Sequence, residues 1–272
     1  MTASASGLSS DLNSELDAFF VELNQAAAGA ILPLFRSEHG LIDKGGAKGF
    51  DPVTEADKGA ERAIRALIAE RYPQHGVIGE EYGDDRPDAE FVWVLDPVDG
   101  TRAFISGLPL WTTLIGLRHN GTPVMGSIGQ SFIGEIFIGS VDGGSRLITR
   151  DGERPLKVRP CANLGDALIA TTDPVIFKGE ERDAWNRLRA AVRLARLGCD
   201  AYAYAMVAAG SLDLVVETGL KAWDIDAAIP VLAGAGGFTT DWEGRPVGAH
   251  GGRIVIAGDR ACLDQALAAL AA

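Results

Sequence analysis

Apolar side chains at Leu16, Phe19, Phe20, Leu23, Ala27, Ala30, Ile31 and Leu34 recur at steps of three and four. That spacing predicts a long helix from about Asp11 to Phe35, which Pro33 should end or kink. The stretch from Asp43 to Pro52 is rich in Gly and Lys and has no period. It reads as a mobile loop, either a solvated connector or a functional lid. A second helix begins near Thr54, with Asp57 three residues on as the acid of a capping box. Ala60, Ala63, Ile64, Leu67 and Ile68 form its apolar stripe, and Pro73 stops it. The run GVIGEEYGDD follows, then a strand from Phe91 to Leu95. Between Thr112 and Ile148 the segments TTLIGL, PVMGSIG, EIFIG and RLIT alternate with turn signals, as successive strands do. The last third predicts DALIATT as a strand, a helix from about Glu180 to Ala195 and a small-residue helix from Tyr202 to Ala209. Then come LDLVVE, a helix from Asp224 to about Ala235, the strand RIVIAG and a closing helix from Asp259.

This order divides the chain into an N-terminal α+β half, 1–145, and a C-terminal α/β half, 146–272. At 272 residues and 47% apolar content the chain can bury one large core or two smaller ones. Its 34 glycines suit a layered fold with many tight turns. No apolar run approaches the roughly 20 residues needed to cross a bilayer. The start, MTASASGLSS, has neither a basic region nor an apolar signal core, so a cytoplasmic setting is expected. With 37 acidic residues against 25 basic ones, the net charge of −12 argues against nucleic acid or an anionic membrane as partner. Cys161, Cys199 and Cys262 are far apart and odd in number, and the four histidines are scattered. Disulfides and a Cys- or His-built zinc site are therefore not expected, and any metal site must be made of carboxylates.

The segment FVWVLDPVDGTRAF carries the clearest chemistry. An apolar strand delivers Asp96 at its end, Pro97 turns the chain, and Asp99 follows, so both carboxylates and the carbonyl of Val98 can face one point. Gly100 permits close backbone approach, and Thr101 opens a helix whose free N–H groups suit a phosphate. Clustered hard oxygens select Mg²⁺, Mn²⁺ or Ca²⁺ over zinc. Taken alone, this is also an ordinary turn, and Asp224 alone is an ordinary helix cap. Glu80 and Glu81 end another apolar run, and three such acidic clusters together read as a metal cage.

The boxes Gly79-Glu80-Glu81, Trp93-Val94-Leu95-Asp96-Pro97-Val98-Asp99-Gly100-Thr101 and Trp223-Asp224-Ile225-Asp226-Ala227-Ala228 resemble those of the inositol monophosphatase superfamily in order and separation. The resemblance implies the layered αβαβα sandwich of the sugar-phosphatase fold, mixing α/β and α+β parts, and commonly a homodimer. It implies Mg²⁺ as cofactor, two or three ions with Mn²⁺ as a substitute. The expected ligands are Glu80, Asp96, the Val98 carbonyl, Asp99, Asp224 and, for a third metal, Asp57. Gly100 and Thr101 would bind phosphate. Glu80 and Thr101 would position a water for in-line attack, with Thr101 held by Asp57. A small-molecule phosphomonoester is the implied partner.

The run Thr101-Arg102-Ala103-Phe104-Ile105-Ser106-Gly107-Leu108-Pro109-Leu110-Trp111 resembles the histidinol-phosphate phosphatase branch, as does Gly198-Cys199-Asp200-Ala201-Tyr202-Ala203-Tyr204. That branch implies hydrolysis of L-histidinol phosphate in histidine biosynthesis. The alternative is inositol-1-phosphate or a related polyol phosphate. Asp200 and Glu217 could pair with the substrate ammonium, and Arg102 joins them as an expected substrate contact. Asp200 reads equally well as a cap for the segment from Ala201. Trp111 and Phe104 could flank the imidazole, although core packing is the commoner fate of such residues. Two rival classes fit less well or remain open on spacing alone. A haloacid-dehalogenase phosphatase needs D-x-D where this chain has D-x-x-D. A binding module with the same cage would bind Mg²⁺ without releasing phosphate.

Overall fold

The computed structural model describes residues 7–37, 42–43 and 52–272. Helix α1 (Ser10–Ile31) is capped by the Ser9 hydroxyl, which accepts from the Leu12 N–H at 3.3 Å. It ends at Ile31, earlier than the apolar period suggests, and the chain continues through turns to Ser37. The physical reason is Pro33, which has no N–H to return to the carbonyl four residues back. Strands β1 (Ile42–Asp43) and β2 (Pro52–Val53) pair antiparallel and join the two ends of the Gly- and Lys-rich stretch. The interior of that expected mobile loop lies outside the described residues. Helix α2 (Glu55–Arg71) opens on the predicted Thr54–Asp57 capping box.

Strands β3 (Gly76–Gly79), β4 (Gly83–Asp85) and β5 (Phe91–Asp99) come next, then the short helix α3 (Thr101–Ile105). Strands β6 (Thr112–His119), β7 (Thr122–Gln130), β8 (Glu135–Ser140), β9 (Gly144–Thr149) and β10 (Gly152–Pro155) complete an eight-stranded sheet of order β10-β9-β8-β7-β6-β5-β3-β4. Only β3 and β5 run parallel in it; the other neighbours are antiparallel. The sheet thus runs to Pro155, past the division at 145 expected from the sequence, because β9 folds back on β8 as a hairpin.

The remaining elements are β11 (Leu168–Thr171), α4 (Glu180–Ala191), β12 (Leu194–Leu197), α5 (Tyr202–Ala208), β13 (Leu214–Leu220), α6 (Ala222–Ile225), α7 (Ala228–Gly234), β14 (Phe238–Thr240), β15 (Gly252–Ala257) and α8 (Arg260–Ala271). Five strands form a second sheet, β12-β11-β13-β15-β14. Strand β12 replaces the last turn of the predicted helix to Ala195, since pairing with β11 satisfies its backbone. The predicted helix from Asp224 to Ala235 is two helices, α6 and α7, with Asp226 at the break.

Alternation along the strands sorts the side chains into layers. On one face of the large sheet Trp93, Leu95, Ile115, Leu117 and Ile138 pack against Phe19, Phe20, Leu23, Ile64 and Ile68 of α1 and α2. On the other face Leu114, Ile128 and Phe137 meet Val207 of α5 and Val231 of α7, which also cover Val215 and Ile256 of the small sheet. The outer face of the small sheet carries α4 and α8 through Trp185, Leu188, Cys262 and Leu263. The result is the expected αβαβα sandwich. Strands β6 and β7 are covered on both faces and so are buried almost throughout. Among the described residues no helix is long and apolar enough to cross a membrane.

The middle layer sits close to the large sheet because Gly126 has no side chain. A Cβ there would lie 2.2 Å from the Ala227 carbonyl oxygen. Arg118 of β6 also forms a buried ion pair with Asp226 and donates to the Ala249 carbonyl at 2.8 Å. Gly126→Ala is therefore expected to destabilise the protein by about 1–3 kcal/mol, lowering Tm by about 2–4 °C per kcal/mol at this size. Gly29→Ala, where a Cβ meets nothing within 4 Å, should leave Tm unchanged or raise it. Equal melting temperatures for Gly126→Ala and the parent in a calorimetric scan would sink this account of the packing.

Candidate active site

Strand β5 runs past Leu95 as far as Asp99, so Asp96 and Asp99 both belong to it. Its pairing with β6 shifts register between these two residues, a bulge that accommodates Pro97, which has no N–H to give. Thr113 Oγ1 donates to the Pro97 carbonyl at 2.9 Å, and Asp96 Oδ1 accepts the Val98 N–H at 3.1 Å. Gly100 then takes φ 80°, a left-handed conformation that glycine adopts without strain. A Cβ at Gly100 would stand 3.0 Å from Asp200 Oδ2, so this glycine is also a point of close approach. Thr101 begins α3 as expected, but its hydroxyl donates to the Val98 carbonyl at 3.1 Å and not to Asp57. Asp57 Oδ2 is engaged by its own capping box, accepting from Thr54 N at 2.8 Å and Thr54 Oγ1 at 2.5 Å.

Glu80 follows β3, and its N–H extends the ladder to the Leu95 carbonyl at 3.2 Å. The turn after it is held by Glu61 of α2, a residue that sequence reasoning missed. The fully buried Glu61 carboxylate accepts from Glu81 N at 2.9 Å, Tyr82 N at 3.3 Å and Arg65 Nε at 2.7 Å. A signal was present in the sequence: Asp57 and Glu61, four residues apart, lie on the same helix face as Ile64 and Ile68. Acids on the apolar face of a helix call for an internal partner.

The C-terminal half supplies the rest. Asp224, within α6, accepts the Lys221 N–H at 2.6 Å. Two residues on, Asp226 instead pairs with Arg118. Asp200 has φ 42° and makes no side-chain cap to α5, which removes the capping reading of this residue. The Ala201 N–H goes to Asp99 Oδ2 at 2.7 Å, tying the start of α5 to β5. Glu217 of β13 is buried and accepts from Thr172 N at 2.7 Å and Thr172 Oγ1 at 3.0 Å.

Glu80, Asp96, Val98, Asp99, Gly100, Thr101, Arg102, Asp200, Glu217 and Asp224 all line one cavity of about 330 Å³, together with Thr172 and Tyr204. Asp57 is not part of its wall but is close enough for its charge to act on Asp96. Trp111 and Phe104 do not line it; they are core residues packed edge-on at 5.4 Å, and Phe35 contacts both.

Burial, and then the charges of Glu80, Asp99, Asp224 and Asp57, push the Asp96 carboxyl well above the ordinary carboxylate range. Asp99 is raised in the same way, by burial and then by Asp200. Burial brings Asp224 up to about 6 against the lowering effect of the Lys221 N–H, and brings Glu217 up to about 7 against its bonds to Thr172. Among the described residues no three of these side chains are gathered tightly enough to form a ready chelate. Like charges splay apart, and Asp96, Asp99 and Asp224 each spend an oxygen on a backbone N–H. The donor set is nonetheless all oxygen, with Asp96 and Val98 buried, Asp99 and Asp224 half-buried and Glu80 exposed, and among the described residues the charges acting most on Asp96 are all negative. It fits a hard divalent cation such as Mg²⁺ or Mn²⁺, and the three cysteines lie outside the cavity wall.

Comparison with known proteins agrees with this geometry. The profile of the inositol monophosphatase family matches residues 12–272. The bifunctional phosphatase IMPL2, chloroplastic, of Arabidopsis thaliana is 38% identical over 95% of this chain and 76% of that protein. A histidinol-phosphatase of Chlorobaculum parvum is 32% identical over 71% of this chain and 74% of its own length. The solved structure of an inositol monophosphatase from Zymomonas mobilis superposes with a TM-score of 0.84 at 36% identity, covering 97% of this chain and all of that one.

Two outcomes follow from the site. Glu61→Ala leaves the Glu81 and Tyr82 N–H groups without their acceptor, and each such loss costs about 1–3 kcal/mol. Phosphate release from any substrate should then fall at least about ten-fold through misplacement of Glu80, with the circular dichroism of the fold retained. Full activity would show that Glu61 does not set the turn. The second concerns pH. Glu217 carries an extra proton in the folded state between its unfolded value of 4.5 and about 7. Its contribution to stability is complete below that window and is lost as pH rises through it. With divalent cations chelated, Glu217→Gln should flatten the fall in stability over this window; parallel denaturation curves for variant and parent would refute it.

Proposed function

The chain belongs to the inositol monophosphatase family, and on that premise we propose that it is a Mg²⁺-dependent phosphomonoesterase that converts L-histidinol phosphate to L-histidinol and phosphate. The reading of the chemistry draws on the convergence of Glu80, Asp96, Val98 and Asp99 from the large sheet and Asp224 from helix α6 on one cavity. Two or three divalent ions bound there would supply charge neutralisation and Lewis-acid polarisation of the phosphoryl oxygens. The backbone N–H groups of Gly100 and Thr101 take phosphoryl oxygens, and Glu80 and Thr101 orient the attacking water for in-line displacement. Asp57 completes the acidic set from the start of α2. No side-chain nucleophile is required, and none of the cavity residues is a cysteine, serine or histidine.

The substrate reading rests on one observation above the others. Asp200 lines the cavity next to Gly100 and leaves α5 without a side-chain cap. With Glu217 it gives the alcohol end of the site two carboxylates outside the expected metal set, suited to a leaving group that carries an ammonium. A cationic substrate would also draw the Glu217 proton equilibrium towards the ionised form. Arg102, whose charge acts on Asp200, holds that carboxylate ready. A second reading, inositol-1-phosphate or another polyol phosphate, is favoured by the Zymomonas mobilis inositol monophosphatase at 36% identity.

The test is phosphate release with Mg²⁺ from L-histidinol phosphate and from inositol-1-phosphate, measured together and repeated with a chelator. A strong preference for the first is expected, with no release under chelation. A preference for the inositol ester would overturn the substrate while keeping the chemistry, and no release from either would favour a binding module. Asp96→Asn, which removes charge but little volume, should lower kcat by at least about 10³-fold on the preferred ester with the melting curve still cooperative. Parent-like turnover would take Asp96 out of the cage.

A further inference from the structure

The chain has four tyrosines, and three of their hydroxyls have partners. Tyr72 donates to Glu15 at 2.8 Å, Tyr202 donates to Glu135 at 2.7 Å, and Tyr82 accepts from Arg62 at 3.0 Å. Tyr204 is the exception. It is 2% exposed, it lies on α5 one turn beyond Asp200, and among the described residues its hydroxyl has no hydrogen-bond partner. The hydroxyl is not one of the sealed, unpartnered polar atoms among the described residues; a ligand that displaces the water it meets and offers no polar group in return would leave it unsatisfied, which carries a real cost. The hydroxyl is not sealed in the core, because Tyr204 is part of the wall of the acidic cavity. Its ring is fixed by the apolar middle layer, among Ala170, Val207 and Val215. It shares that cavity wall with Asp200 and Glu217, the two acids of the alcohol end, and their charges act on it.

We propose that Tyr204 is a specificity-determining residue whose hydroxyl forms a hydrogen bond with a polar group on the leaving alcohol of the phosphomonoester. This inference rests on the phosphatase reading above and adds a contact to it. Three features suit the residue to that task. The phenol stays neutral beside four carboxylates, so it can donate to an oxygen or accept from an ammonium N–H. Its ring is rigid in a packed layer, so little rotamer freedom is lost on binding. Finally, with no protein partner to fall back on, the hydroxyl penalises an alcohol that displaces the cavity water and brings no polar group to it. A site with a hydrogen-bonding group to satisfy discriminates in this way more sharply than an apolar one.

Tyr204→Phe keeps the buried ring and removes only the oxygen. In calorimetric titrations with Mg²⁺ present, L-histidinol and myo-inositol are each added to the parent and to the variant, with inorganic phosphate as a third ligand. The variant should bind the parent's preferred alcohol about ten-fold more weakly, one hydrogen bond's worth, and phosphate equally well. In turnover, KM for the corresponding phosphate ester should rise by a similar factor. Phenyl phosphate, whose leaving group has no further polar substituent, should be hydrolysed by the variant at least as well as by the parent, since the hydroxyl that penalises such a group is gone. Tyr202→Phe, which removes a tyrosine hydroxyl from the same helix away from the cavity, should change neither readout. Unchanged alcohol binding in Tyr204→Phe overturns the proposal, as does an equal loss on phenyl phosphate, which would mark a general effect on the site. If the parent hydrolyses no ester, the phosphatase reading fails while the alcohol titration still decides the role of Tyr204. If the parent binds neither alcohol, the proposed contact falls.

Discussion

Carboxylates held out of water and close to one another are the constraint around which this molecule is built. Two unit charges about 4 Å apart repel by roughly 4 kcal/mol at an effective dielectric of 20, and Asp96 feels Glu80, Asp99, Asp224 and Asp57 together. Such a cluster persists because each acid is fixed by a rigid backbone. Asp96 accepts from Val98, Asp99 from Ala201, Asp224 from Lys221 and Asp57 from Thr54. These bonds hold the anions in position for a cation to neutralise, while burial raises the cavity carboxyls against them and neighbouring charges add to the rise at Asp96 and Asp99.

The layered fold makes the cluster possible. Glu80 and Asp96 come from the ends of the two parallel strands of the large sheet, which point their carboxyl ends to the same side. Asp200 and Asp224 come from the middle helices, and Glu217 from the small sheet. The middle layer must therefore sit close to the large sheet, and the absence of a side chain at Gly126 together with the Arg118–Asp226 pair keep it there. Glu61 plays the same part on the opposite face, where α2 holds the turn that carries Glu80. The site is stabilised by residues that never reach the cavity.

On the proposed reading the cavity has a phosphate end and an alcohol end that differ in character. Gly100 and Thr101 supply backbone to the first. Asp200, Glu217, Arg102 and Tyr204 supply side chains to the second, two of them acids outside the expected metal set. On the proposed reading, chemistry shared across a family and substrate choice within it would be written in separate walls of one pocket. Relatives with differing printed names, a histidinol-phosphatase and an inositol monophosphatase among them, are compatible with that separation.

The sequence alone determined the order of elements wherever the period was strong, as in α1, α2 and the antiparallel run from β6 to β9. It also determined which acids would be grouped, since Glu80, Asp96, Asp99 and Asp224 each stand where an apolar run ends or a helix begins. Those signals are local, and local patterns survive without knowledge of the fold. What depended on contacts between distant segments could be decided only by the tertiary structure. The extension of β5 to Asp99 follows from its bulged pairing with β6, and β12 exists because β11 accepts it. The break between α6 and α7 falls where Asp226 meets Arg118, over a hundred residues away in the chain. Thr101 donates to the Val98 carbonyl, while Asp57 Oδ2 accepts from Thr54 in its own cap. Glu61 belongs to none of the sequence motifs, and Tyr204 enters them only as the end of the run from Gly198. Only the packed structure showed which of their polar atoms were buried, and whether a partner was there to meet them.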